Sequence, residues 1–257
     1  MSELLTVARP EEPRGGSPDL VLPSAGPLPI PVDTARAAVL GYARGRRPLL
    51  FRSPNEREGR WVQVLAFGWE RFDGRPVPAG ALGDDDVLAA EGLHGRLDRA
   101  GWAVVRSALD DVRPLVAELV DRAGGRALHE LPDEEVSVLA EPGTVGAALR
   151  QVGERPGVLP RYLVAALHHR HPGLVPLTDR ATRLQLLPHL REGDSGTAAV
   201  VHRELLANPA GFAALQAGLL GAGVQATRLR LHDVLLWLSA TLRLTHAVAL
   251  GRALDPT

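Results

Sequence analysis

The stretch Leu229-Arg230-Leu231-His232-Asp233-Val234-Leu235-Leu236-Trp237-Leu238, which stays largely apolar through Leu250, decides the fold class. A helix drawn through it is hydrophobic on nearly every side, and such a helix belongs at the centre of a fold. Asp233 then sits in apolar surroundings and needs a partner, for which an arginine is expected, because an unpaired buried carboxylate is costly. Upstream of this segment the pattern is helical from residue 145 onward, broken only at 153–157, 172–178, 191–196, 208–209 and 221–223. Short helices with short connections describe an α-bundle.

The first half of the chain is less uniform. Seven prolines between Pro10 and Pro31 break any regular pattern, so residues 1–32 are expected to form an extended arm. Asp33 or Thr34 is placed to cap a helix running to about Arg44. Leu49-Leu50-Phe51 and the run from Trp61 to Phe67 flank a polar stretch, the pattern of a β-hairpin at about 47–72. Asp84-Asp85-Asp86 opens an apolar-periodic run to Leu97, where carboxylates suit the positive end of a helix dipole. Residues 102–105 read as a short strand or a helix start, and 112–123 as a helix stopped by Gly124-Gly125. The expected fold is mainly α: a single helical domain over 33–257 with a small N-terminal hairpin.

The composition closes off several chemistries. The 257 residues include no cysteine, which removes disulfides, thiolate metal sites and a thiol nucleophile. There is no lysine either, which removes a Schiff-base lysine and the lysine of a phosphate-binding P-loop. Net charge is only −1, but residues 143–191 carry seven arginines against Glu154 and Asp179, a net of +5. Residues 110–141 carry a net of −6, so one section suits phosphates while its neighbour repels them. No apolar stretch is long enough to span a bilayer, and Met1-Ser2-Glu3 does not begin a secretion signal, so a cytoplasmic protein with no membrane partner is expected.

The basic section holds the functional argument. A helix over 145–152 runs into Gly153-Glu154-Arg155-Pro156-Gly157 and then a second helix over about 158–169. A glycine-bearing turn between helices can aim backbone amides at a phosphate, with Arg155 and Arg161 placed to assist. Beyond it comes His171-Pro172-Gly173-Leu174-Val175-Pro176-Leu177-Thr178-Asp179, with Arg180 and Arg183 on the helix that follows. Over about 144–187 this order resembles the helix-hairpin-helix, Gly/Pro-loop, aspartate superfamily of DNA base-excision glycosylases. The resemblance implies a bundle of that type, DNA as partner, no cofactor, and Asp179 as the carboxylate that stabilises charge on the sugar or activates water. It also implies that Gly153, Arg155, Gly157 and Arg161 face the DNA backbone, with Arg180 and Arg183 nearby. Without lysine, a covalent lyase step is excluded and simple base removal remains. The terminal run from Leu229 to Trp237, with the parts around Phe72-Asp73 and 84–93, is also similar to an uncharacterised bacterial family.

Other readings stay open beside this one. Asp179 is equally suited to cap the helix that follows it. The scaffold also fits a non-catalytic binding or regulatory module, or a small-molecule enzyme with a pocket lined by Trp237 and Asp233. His168, His169 and His171 have the residue type of a metal site, but histidines at a helix C-terminus also complement its dipole, and no metal is expected. Trp61, Trp69, Trp102 and Trp237 suit either base stacking or the core. The oligomeric state is left open.

Overall fold

The computed structural model describes residues 19–52, 58–154 and 160–254, so Arg155 and Gly157 lie outside the described residues. The elements in order are α1 (Val32–Arg44), β1 (Arg46–Phe51), β2 (Arg60–Leu65), α2 (Trp69–Phe72), α3 (Asp84–His94), α4 (Arg99–Ala123) and α5 (Asp133–Ser137). They continue with α6 (Val145–Gly153), α7 (Pro160–Arg170), α8 (Arg180–Leu186), α9 (Thr197–Ala207), α10 (Pro209–Gly221), α11 (Arg228–Ala240) and α12 (Leu244–Leu254). The described chain is thus mainly helical, with one two-stranded antiparallel sheet.

Helix α11 occupies the centre, as its all-round apolar surface requires. Leu229, Leu231, Val234, Leu235, Leu236 and Leu238 are all buried, and the helix touches α1, α8, α9, α10 and α12. It does not continue to Leu250. Leu242 adopts a left-handed φ of 58°, Arg243 N donates to Leu238 O at 2.8 Å, and Leu242 N donates to Ser239 O at 3.0 Å. This is a helix stop of the kind usually built on glycine. Here a leucine takes the position, with its side chain in solvent.

After that stop, α12 turns back onto α1 with backbones in contact. A Cβ built on Gly251 would fall inside the envelope of Ala37 O, and one built on Gly41 inside that of Ala247 O. Glycine and alanine four residues apart on each helix make this approach possible. The long helix α4 replaces two shorter expected elements. Asp98 caps it by accepting from Gly101 N at 2.7 Å, it passes through Pro114, and Gly124 ends it at φ 58°.

Residues 19–31 are irregular, as their prolines demand, but they are packed rather than free. Leu20, Leu22 and Ile30 are buried, and Leu20 and Ile30 exchange two backbone hydrogen bonds of 2.8 Å. Asn208 clamps Val21 from both sides, accepting from its N–H at 2.7 Å and donating to its carbonyl at 2.8 Å. The hairpin pairs Arg46 with Leu65 through Phe51 with Arg60, and it projects from the bundle with Leu50 and Trp61 exposed. Its base is anchored by Phe67, which stacks on Tyr42 of α1 at 5.1 Å.

Candidate functional site

The Gly/Pro stretch at 171–178 forms no helix or strand, yet it is held at four points. Leu128 N donates to Gly173 O at 2.8 Å, Thr227 Oγ1 to Pro172 O at 2.6 Å, and His168 Nδ1 to Val175 O at 2.7 Å. At its end, Leu177 N donates to Asp233 Oδ2 at 2.9 Å. A loop fixed in this way delivers Asp179 to a constant position at the start of α8. There Asp179 Oδ1 accepts from Thr182 N at 2.9 Å, and Asp179 N donates to Thr182 Oγ1 at 2.8 Å, so Asp179 does cap the helix. Its second oxygen, Oδ2, has no hydrogen bond within the described residues.

Asp179 opens onto a cleft of about 250 Å³ between the end of α3, the loop, α1 and α11. Tyr42, His94, Arg230, Asp233 and Trp237 share its walls. The structure therefore brings together Asp179, Asp233 and Trp237, which lie up to 58 positions apart in the chain. Trp237 is braced edge-on by Tyr42 at 5.9 Å and Phe67 at 6.2 Å, with the Arg243 guanidinium 5.4 Å from its ring centre. This makes one side of the cleft a firm aromatic wall.

His94 joins this group without having been singled out by its sequence. A lone histidine at the end of an apolar run carries no spacing signal. Its ring meets Tyr162 edge-on at 5.2 Å, and its Nε2 is buried with no hydrogen-bond partner within the described residues. Burial, reinforced by the charge of Arg161 and opposed by Asp179, lowers its pKa to about 4. At neutral pH His94 is therefore an uncharged imidazole beside a carboxylate.

The expected arginine partner of Asp233 is not found. Arg230 pairs instead with Asp73, its Nη2 2.8 Å from Asp73 Oδ2, and reaches the Tyr42 hydroxyl at 3.3 Å. Burial works against the Arg230 charge, but Asp73, Tyr42 and Asp233 outweigh it and raise the pKa. Asp233 faces two histidines: its Oδ2 is 3.6 Å from His168 Nδ1, and its Oδ1 is 3.7 Å from His232 Nδ1. These are Coulombic distances rather than hydrogen bonds. His232 Nε2 donates to Glu204 Oε2 at 2.7 Å, and Glu204 also accepts from Ser24 N at 2.8 Å and Ser24 Oγ at 2.7 Å. Burial would lower the His232 pKa, but the two carboxylates raise it to about 9. A buried imidazolium thus lies between Glu204 and Asp233, and it joins the N-terminal segment to the floor of the cleft.

The other predicted residues are distributed as follows. Gly153 and Arg183 line a neighbouring hollow of about 180 Å³ with Arg150, Glu154 and Thr178. Thr178 borders both hollows, so the turn and the aspartate face adjoining spaces and not a common one. Arg161 lies on the Asp179 side, its guanidinium 5.2 Å from the Tyr162 ring centre, and Arg180 is exposed at the start of α8. The acidic triplet at 84–86 is consumed locally: Asp86 is buried against Arg170 at 2.7 Å and accepts from Gly83 N, while Asp84 pairs with Arg106. Within the described residues no group of three or more histidines and carboxylates converges to hold a metal ion. Of the tryptophans, Trp237 alone lines the Asp179 cleft, and Trp61 stands in solvent.

Residues 63–240 match the family of unknown function DUF6308, and the chain belongs to that family. No curated protein and no solved structure matches the chain. Among the described residues no helix is long and apolar enough to cross a membrane.

Proposed function

We propose that the chain is a DNA-binding protein of base-excision type, that the cleft beside the Gly/Pro loop receives an everted base, and that Asp179 is its working carboxylate. The observation that supports this most is the meeting of Asp179 and Trp237 in one cleft, next to a loop pinned by Asp233. In this reading Trp237 and Tyr42 provide flat apolar surface for the base, and the neutral His94 provides a hydrogen-bonding edge. Breaking the N-glycosidic bond sends its electron pair to the base and leaves positive charge on the sugar. Asp179 stabilises that charge while water adds at the anomeric carbon and its proton leaves to the departing base or to solvent. Arg161, Arg180 and Arg183 lie where the flanking strand would pass, and with no lysine the step is hydrolytic.

A second reading, a binding module without catalysis, is favoured by one specific observation: Asp179 already caps α8 through Thr182. The two readings separate in Asp179→Asn, because asparagine caps a helix about as well as aspartate. Base release from duplexes carrying deaminated, alkylated or oxidised bases is expected to fall at least about a hundredfold in that variant. A binding module shifts duplex mobility equally with either residue and releases no base. In both readings affinity for duplex falls steeply with added salt, which a small uncharged substrate would not show.

A further inference from the structure

Arg230 lines a second cleft on the side of α11 away from Asp179, and this cleft has its own chemistry. Its volume is about 370 Å³, within the range of roughly 300–1,000 Å³ typical of small-molecule sites. Phe72, Val77, Pro172 and Ala226 supply an apolar wall, and His168 and His169 supply the polar atoms. Both histidines are more than nine-tenths buried, and each flanks the Phe72 ring, at 6.2 Å and 5.4 Å.

Backbone carbonyls fix which nitrogen of each ring carries the proton. A carbonyl only accepts, so His168 donates from Nδ1 to Val175 O, and His169 donates from Nε2 to Arg75 O at 3.3 Å. Burial lowers both pKa values, and the rings stay neutral at pH 7. The remaining nitrogens, His168 Nε2 and His169 Nδ1, therefore present lone pairs, and both are buried with no partner in the described residues. Because Nδ1 of His168 points toward Val175 and Asp233, its Nε2 points to the opposite side, where the second cleft lies.

Two buried acceptors without donors select what can enter. A metal cation is disfavoured, because Arg230 and Arg75 line the same cleft and no carboxylate is free to offset it: Asp73 is already paired with Arg230. A carboxylate or fully ionised phosphate brings acceptors against acceptors. A polyol brings more polar groups than this wall can satisfy. A flat ring with N–H groups matches both the apolar wall and the lone pairs.

We propose that this second cleft is a binding site for an uncharged nitrogen heterocycle that donates N–H hydrogen bonds to His168 Nε2 and His169 Nδ1. The site is separate from the Asp179 cleft, and its occupancy does not depend on what Asp179 does. The test is calorimetric titration of the full chain with adenine, and with 6-(dimethylamino)-9-methylpurine, which has similar rings and no N–H donor. Adenine is expected to bind at least about tenfold more tightly than the donor-free analogue, the worth of one or two hydrogen bonds. It should also move the His168 Nε2 resonance in nitrogen-15 spectra. Ala226→Trp, which fills the cleft from its rim, should abolish adenine binding, while Asp179→Asn leaves it unchanged. Absence of adenine binding to the unmodified chain, or equal binding of the two purines, overturns the proposal without needing any variant to fold. Binding lost in Asp179→Asn but kept in Ala226→Trp overturns it equally, since the ligand then sits in the other cleft.

Discussion

Two clefts share the Arg230 guanidinium, and they differ in the charge of what faces inward. On the Asp179 side the polar groups include two carboxylates, one of them, Asp233, beside the imidazolium of His232. On the far side they are two neutral imidazoles whose acceptor nitrogens are set by backbone carbonyls. The same residue type, histidine, is thus charged at 232 and uncharged at 168 and 169. Burial opposes charge at all three, and the hydrogen bond from His232 to Glu204 makes the difference. The Arg230–Asp73 pair between the clefts is self-neutralising, which keeps their fields distinct.

The strongest way to break this contrast is to remove the divider. Arg230→Met leaves Asp73 buried beside a neutral side chain and is expected to cost about 3–5 kcal/mol, read from the midpoint of urea unfolding. Adding Asp73→Leu should return much of that loss, because replacing a whole buried pair is often near neutral. A single variant as stable as the unmodified chain would show that the pair is dispensable.

Changing pH sharpens the contrast next. The folded pKa of His232, about 9, lies above its ordinary 6.5, so its stabilisation is complete below pH 6.5 and lost as pH rises through 9. His168 and His169 are shifted the other way, so the stabilisation from keeping them neutral is present above pH 6.5 and fades as pH falls below it. Thermal unfolding between pH 6.5 and 9.5 should therefore show declining stability, and Glu204→Gln should flatten that decline. A slope unchanged by Glu204→Gln would remove His232 from the account.

Gly251→Ala provides a control away from both clefts. The added methyl group meets the α1 backbone, with an expected cost of about 1–3 kcal/mol and no change in ligand affinity of the folded fraction. Smallest is the cap: Asp179→Ala should cost about 1 kcal/mol and Asp179→Asn only a few tenths.

Much of the fold could be read from local rules. The all-round apolar run at 229–238 marked the central helix, Gly124 marked the end of α4, and alternating runs around a polar stretch marked the hairpin. Signals that act at a distance were hidden. The break at Leu242 has no glycine to announce it, and the N-terminal segment is packed through Asn208 and Glu204, about 180 residues away. For the site, the loop and Asp179 stood out because proline and glycine punctuate the chain there. His94 did not, since its importance comes from which residues surround it. The Asp233 expectation failed because the nearby arginine, Arg230, is engaged by Asp73, 157 positions away, leaving His232 and the Leu177 amide as partners.

Single-turnover base release, measured side by side for the unmodified chain and Asp179→Asn at equal duplex occupancy, tests the central claim most directly. The account predicts release from at least one class of damaged duplex, slowed about a hundredfold or more by the substitution while affinity holds. Equal rates for the two proteins, or no release from any duplex by the unmodified chain, would contradict it.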